Sequence, residues 1–101
     1  MATLSILFTD RALREMREIL GFIAQDNLDA ASALAGQIMK SLDSKSRFPK
    51  SGRRIPEAPE HSARELVLPP CRIFYIFDSK SLHVLSLMRS EREFRISQLE
   101  S

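Results

Sequence analysis

Arg64-Glu65-Leu66-Val67-Leu68-Pro69-Pro70-Cys71-Arg72-Ile73-Phe74-Tyr75-Ile76-Phe77-Asp78-Ser79-Lys80-Ser81-Leu82-His83-Val84-Leu85-Ser86-Leu87-Met88-Arg89 holds most of the strong β-formers of the chain. Ile73 to Phe77 is a run of large apolar residues, too short and too rich in β-branched and aromatic side chains for a buried helix, so it reads as a central strand covered on both faces. Leu82 to Met88 is a second such run. The polar residues Asp78 to Ser81 between them predict a tight antiparallel hairpin. Arg64 to Leu68 can pair along the other side of the central strand. Pro69 and Pro70 have no N–H to donate to a ladder, so they fall in the connection.

Working outward, Thr3 to Phe8 reads as a short edge strand. A helix starts at Thr9 or Asp10: Thr9 can cap free backbone N–H groups, Asp10 suits the positive end of the helix dipole, and Phe8 can staple onto Leu13. Leu13, Met16, Leu20 and Ile23 recur at helical spacing, with Arg14, Glu15, Arg17 and Glu18 on the outer side. Asp26-Asn27 interrupts the pattern, and Asn27 or Asp29 can cap a second helix from about Leu28 to Leu42, striped by Ala31, Leu34, Ala35, Ile38 and Leu42. The expected fold is α+β, in the order β-α-α-β-β-β. An antiparallel helix hairpin packs on one face of a small antiparallel sheet, and a short C-terminal helix over Ser90 to Leu99 turns Phe94, Ile96 and Leu99 inward. Part of the other sheet face is expected to stay open as an apolar groove.

A chain of 101 residues suits one domain, residues 1–101, with one modest core. No apolar run approaches the ~20 residues of a membrane span, and the N-terminus lacks the basic leader of a signal sequence, so a cytoplasmic protein without membrane partners is expected. The lone Cys71 agrees with a reducing compartment. The net charge of +2 is unevenly placed: residues 1–43 hold 4 Lys and Arg against 6 Asp and Glu, and residues 44–101 hold 11 against 7. The basic half calls for an acidic partner. Ser44 to Glu60 reads as a long loop carrying Lys45, Arg47, Lys50, Arg53 and Arg54, either functional or a connector with Phe48 and Ile55 tucked against the core.

His61, His83 and Cys71 lack metal-ligand spacing, Gly21, Gly36 and Gly52 are too scattered for a phosphate loop, and no nucleophile elbow occurs. Neither a metal nor a cofactor is expected. What remains is arginine, suited to bidentate recognition of phosphate and carboxylate: Arg53, Arg54, Arg64, Arg72, Arg89 and Arg92 all lie in or beside the sheet half.

Gly52-Arg53-Arg54-Ile55-Pro56-Glu57, Arg64-Glu65-Leu66, Arg72-Ile73-Phe74-Tyr75 and Val84-Leu85-Ser86-Leu87, in that order, resemble the ParE branch of the RelE/ParE superfamily of bacterial toxins. Phe22 to Asn27 with Ala30-Ala31 is similar to the helix-hairpin corner of that family. The resemblance implies the toxin of a type II toxin–antitoxin system, held inactive by a cognate antitoxin that wraps its surface. ParE-like members poison DNA gyrase; RelE-like members are ribosome-dependent endoribonucleases that cut messenger RNA. Arg89 stands where several relatives place a His, no Tyr follows Tyr75, and Cys71 replaces the usual aromatic before Arg72. The implied reading is therefore a gyrase-binding toxin with no catalytic residue. It would use Arg89, Arg92 and Arg72 on its target, and Arg53, Arg54, Arg64, Leu66, Leu68, Tyr75 and Leu87 on the antitoxin. The alternatives are a nuclease drawing on His83, Glu91, Arg89 and Arg92 with ribosome and mRNA as partners, and a detoxified member acting in antitoxin binding and autoregulation.

Overall fold

A computed structural model describes residues 3–100. Strand β1 (Ser5–Phe8) leads into helices α1 (Asp10–Asp26) and α2 (Leu28–Arg47). A 3-10 turn (Pro49–Ser51) and strands β2 (Arg53–Arg54), β3 (Arg64–Leu68), β4 (Cys71–Phe77) and β5 (Ser81–Arg89) follow, and a 3-10 turn (Ile96–Leu99) closes the chain. The sheet order is β1-β5-β4-β3-β2; β1 runs parallel to β5 and every other pair is antiparallel.

The helix caps are those the sequence predicts. Thr9 accepts a hydrogen bond from the Ala12 N–H and Asn27 from the Ala30 N–H, so each helix begins with one of its free amides satisfied. α2 runs five residues beyond its expected end at Leu42. An Asp43–Arg47 ion pair spans the added turn, Lys45 and Arg47 suit its negative dipole end, and buried Ser46 donates to the Asp43 carbonyl. The stretch expected as loop from Ser44 is thus helix to Arg47, then a 3-10 turn and a short strand.

A bulge in β5 decides which side chains face the helices. Phe74 pairs with Ser86 and Tyr75 with Val84, leaving Leu85 as the extra residue. Leu82 and Val84 before it, and Leu87 after it, therefore join Cys71, Ile73 and Tyr75 under Ala12, Ile19, Leu34, Ile38 and Leu42 of the helices. Leu85 and Met88 turn to the opposite face, where they pack with Phe74, Ile55, Ala63 and Leu99. Thr9 serves the bulge as well as the cap, since its hydroxyl donates to the Leu85 carbonyl and its N–H to that of Val84.

The apolar groove expected on the second face is filled by the chain itself. The segment after β2 supplies Ile55 and Ala63, both wholly buried, and the segment after β5 supplies Leu99 and half-buried Phe94, whose ring meets Phe74 edge-on at 5.5 Å. Tyr75 and Leu87, expected at that groove, are buried beneath the helices instead. The C-terminal helix expected over Ser90 to Leu99 is an extended strap with one 3-10 turn, because the chain must span the sheet to seat both Phe94 and Leu99; Ile96 points away, 57% exposed. Of the two residues that the connector reading tucks against the core, Ile55 is buried and Phe48 is 57% exposed.

Candidate functional site

A cleft of about 550 Å³ opens between α1, the end of β5 and the strap. Glu15, Glu18, Ile19 and Phe22 line one wall, a strip of α1 at helical spacing, and Arg89, Arg92, Glu93, Arg95 and Gln98 line the other. Arg89 and Arg92, singled out from the sequence, meet here. The Arg89 guanidinium lies 4.5 Å over the Phe22 ring, and its Nε is 2.7 Å from Glu91 Oε1. Arg89, Arg92 and Arg95, with Glu93 among them, thus share the cleft with Glu15 and Glu18 of the other wall, giving it mixed charge.

Glu15 is bound more tightly than its place among the expected outer residues of α1 implies. It accepts the Leu87 N–H at 3.1 Å, an amide beyond the four-residue reach of β1, and pairs with Arg11 at 3.4 Å. Arg11 in turn donates to the Ser97 carbonyl and, at 2.7 Å, to Gln98 Oε1. Ser86 Oγ donates to the Gln98 carbonyl at 2.5 Å. One helix face therefore secures both the strand end and the strap that form the cleft.

Arg72 lies elsewhere, on the strap-covered face of the sheet. Its guanidinium makes a bidentate pair with Glu57 at 2.8 and 2.7 Å, its Nε donates to Glu65 Oε2 at 2.7 Å, and its Cζ lies 5.2 Å from the Phe74 ring centroid and 5.6 Å from that of Phe94. Glu65 has no exposed side-chain surface and is also bound by Arg53 at 2.5 Å. Hydrogen bonding from Arg72 holds the Glu57 carboxyl below its ordinary range, and the Arg72 pKa is raised further above its already high value. A target would reach this arginine only by opening the ion-pair network that fastens the 55–63 segment to the sheet.

The residues of the nuclease alternative do not converge. His83 pairs across the sheet with Leu7 and Ile76 on the face opposite the helices, with Asp78 at 3.8 Å. Arg89 is six residues further along β5, roughly 20 Å away, on the helix-facing side. Glu91 is spent on Arg89. The Tyr75 hydroxyl, its pKa raised by burial, accepts the Gly52 N–H at 3.1 Å and donates to the Pro49 carbonyl at 2.7 Å. Among the described residues, no group of three or more His, Cys, Asp or Glu is placed to hold a metal ion. None of their helices is long and apolar enough to cross a membrane.

The residues assigned to the antitoxin divide by burial. Arg53, Arg54 and Arg64 cluster where β2 pairs with β3, Arg64 donating to the Gly52 carbonyl at 2.9 Å, and half-buried Leu66 and Leu68 continue along β3. β2 ends after two residues, so Leu66 to Leu68 have no strand beyond them. Tyr75 and Leu87 lie below this surface, not on it.

Comparison with known proteins agrees with this architecture. A chain of the solved chromosomal ParDE toxin–antitoxin system from P. aeruginosa superposes with a TM-score of 0.69 over 88% of this chain and 98% of that one, at 17% identity. A protein of Sinorhizobium fredii named as a candidate toxin, Y4kP, is 34% identical over 99 residues, 93% of this chain and 96% of its own length. The family model described as ParE toxin of type II toxin-antitoxin system, parDE, matches residues 6–94. The strand–helix-hairpin–sheet chain described here belongs to the ParE toxin family of type II toxin–antitoxin systems.

Proposed function

We propose that this chain inhibits DNA gyrase by binding it through the Arg89–Arg92 cleft, with no catalytic residue of its own, and that a cognate antitoxin neutralises it in the cytoplasm. The observation that carries this reading is the separation of His83 from the arginines by both strand length and sheet face. Cleavage of RNA by its own 2′-hydroxyl requires a base, an acid and stabilisation of the phosphorane charge. Arginine supplies the last but is a poor proton acceptor, since its pKa exceeds ~12. The cleft carboxylates Glu15, Glu18 and Glu93 would also repel an RNA backbone, whereas a protein surface of mixed charge complements them. For the antitoxin, Arg53, Arg54 and Arg64 with Leu66 and Leu68 offer charge beside a strand edge.

Growth inhibition by single variants tests the reading, with folding checked by antitoxin binding. Toxicity should survive His83→Ala and fall with Arg89→Ala and Arg92→Ala. Loss of toxicity in His83→Ala or Glu91→Gln, with antitoxin binding intact and message cut only by the wild type, would establish the nuclease instead. A wild-type chain that binds antitoxin yet never slows growth would establish the detoxified member.

A further inference from the structure

The basic segment that follows α2 is not part of the cleft, and it surrounds a separate apolar hollow of about 530 Å³. Leu4, Phe48 and Pro49 form its apolar wall, with Arg47, Lys50 and Ser79 at its edge. From Ser44 to Pro56 the chain has no acidic residue. Arg47 pairs with Asp43 and Arg53 with Glu65, but among the described residues no carboxylate lies within 4.0 Å of a charged nitrogen of Lys45, Lys50, Arg54 or Lys80. Lys50, without such a partner, and Arg47 therefore give the hollow a basic edge.

Its floor is rigid before anything binds. The Phe48 N–H donates to the Ser44 carbonyl at 3.0 Å, the Phe48 carbonyl accepts from both N–H and Oγ of Ser51, and the buried Tyr75 hydroxyl donates to the Pro49 carbonyl. The Phe48 ring nevertheless stays 57% exposed. An exposed aromatic on a pinned backbone beside an apolar hollow is the arrangement of a binding anchor, because little ordering entropy is left to lose on association.

We propose that this hollow receives an acidic segment of the antitoxin, one large apolar side chain seating against Phe48, Pro49 and Leu4 while neighbouring carboxylates meet Lys50 and Arg47. The site rests on the toxin reading given above and lies apart from the Arg53–Arg64 surface named there. Charge selects the occupant. A second copy of this chain would bring two like-charged rims together in a symmetric contact. Single-stranded RNA would need several stacking rings, and Phe48 is the one aromatic in the lining.

The experiment measures binding of the full-length antitoxin to wild type, Phe48→Ala and Lys50→Glu, each checked by thermal melting; both residues are exposed, so the fold should hold. We expect at least about tenfold weaker binding for Phe48→Ala, mainly through faster dissociation, and slower association at low salt for Lys50→Glu. A photo-crosslinking phenylalanine analogue at position 48 should capture an acidic stretch of the antitoxin. Variants that both bind within about twofold of wild type would overturn the site and leave the toxin reading standing. Crosslinks only to a second copy, or RNA retention lost in Phe48→Ala, would overturn it in favour of those occupants. Failure of the antitoxin to bind wild type would remove both site and reading.

Discussion

Gly52→Ala should destabilise this protein although the backbone there, at φ −69° and ψ 151°, is open to any residue. The cause is space. A Cβ built on Gly52 would stand 2.2 Å from the Tyr75 hydroxyl oxygen, 2.8 Å from its Cζ and 2.9 Å from a ring Cε. The Tyr75 ring cannot yield, being wholly buried with its hydroxyl held by Gly52 and Pro49. Relief needs a shift of about 1 Å in a close-packed region and the loss of at least one buried hydrogen bond, for a cost of roughly 2–3 kcal/mol. With a urea slope of about 1–3 kcal/mol/M, the unfolding midpoint should fall by on the order of 1–2 M at unchanged slope. Tyr75→Phe in the same background removes the nearest atom and should recover at least about 0.5 kcal/mol relative to additivity. A Gly52→Ala midpoint within about 0.3 M of wild type, or strict additivity with Tyr75→Phe, would refute this packing argument.

The ion-pair network on the opposite face yields two further expectations. Arg72→Met should cost about 3–5 kcal/mol in denaturant unfolding, towards the lower end because Arg53 still binds buried Glu65. A loss below about 1 kcal/mol would show that Arg72 is dispensable for folding. The Glu57 carboxyl titrates below its ordinary value, chiefly through the Arg72 hydrogen bonds. Its pairing therefore stabilises the fold above the unfolded-state pKa and is lost as pH falls through the lower folded-state value. The stability gap between wild type and Glu57→Gln should be full near neutrality and close as pH falls below the ordinary glutamate range and through the lower folded-state value. A gap that does not change with pH would contradict the assignment.

The order of elements and both helix caps were legible because each rests on local chemistry: Thr9 and Asn27 at the breaks, and the β-rich runs either side of Asp78 to Ser81. Long-range consequences were not. Only the Leu85 bulge puts Leu87 under the helices together with Val84, and no residue type announces a bulge. The last turn of α2 was hidden because the helical stripe continues through Ser46, a buried polar residue whose carbonyl accepts from the N–H of Leu4, just before β1. At the site, Arg89 and Arg92 stood out as arginines of the sheet half suited to binding phosphate or carboxylate, but Arg72 carried the same signal and became a structural ion pair. The deciding feature was its outer-face neighbour Glu65, seven residues away along the chain and on the adjacent strand. Glu15, Glu18 and Phe22 form one strip of α1, a spacing visible in the sequence, but the strap they face had been expected to be helical.

The central claim, a toxin that acts on gyrase by binding, is tested most directly with purified protein. Gyrase supercoiling and trapped DNA breaks would be measured alongside cleavage of ribosome-bound message, with wild type, His83→Ala and an Arg89→Ala/Arg92→Ala double variant. The account predicts gyrase inhibition by wild type and His83→Ala alike, its loss in the double variant, its reversal by antitoxin, and intact message throughout. Unimpaired gyrase together with message cut by wild type and spared by His83→Ala would contradict it.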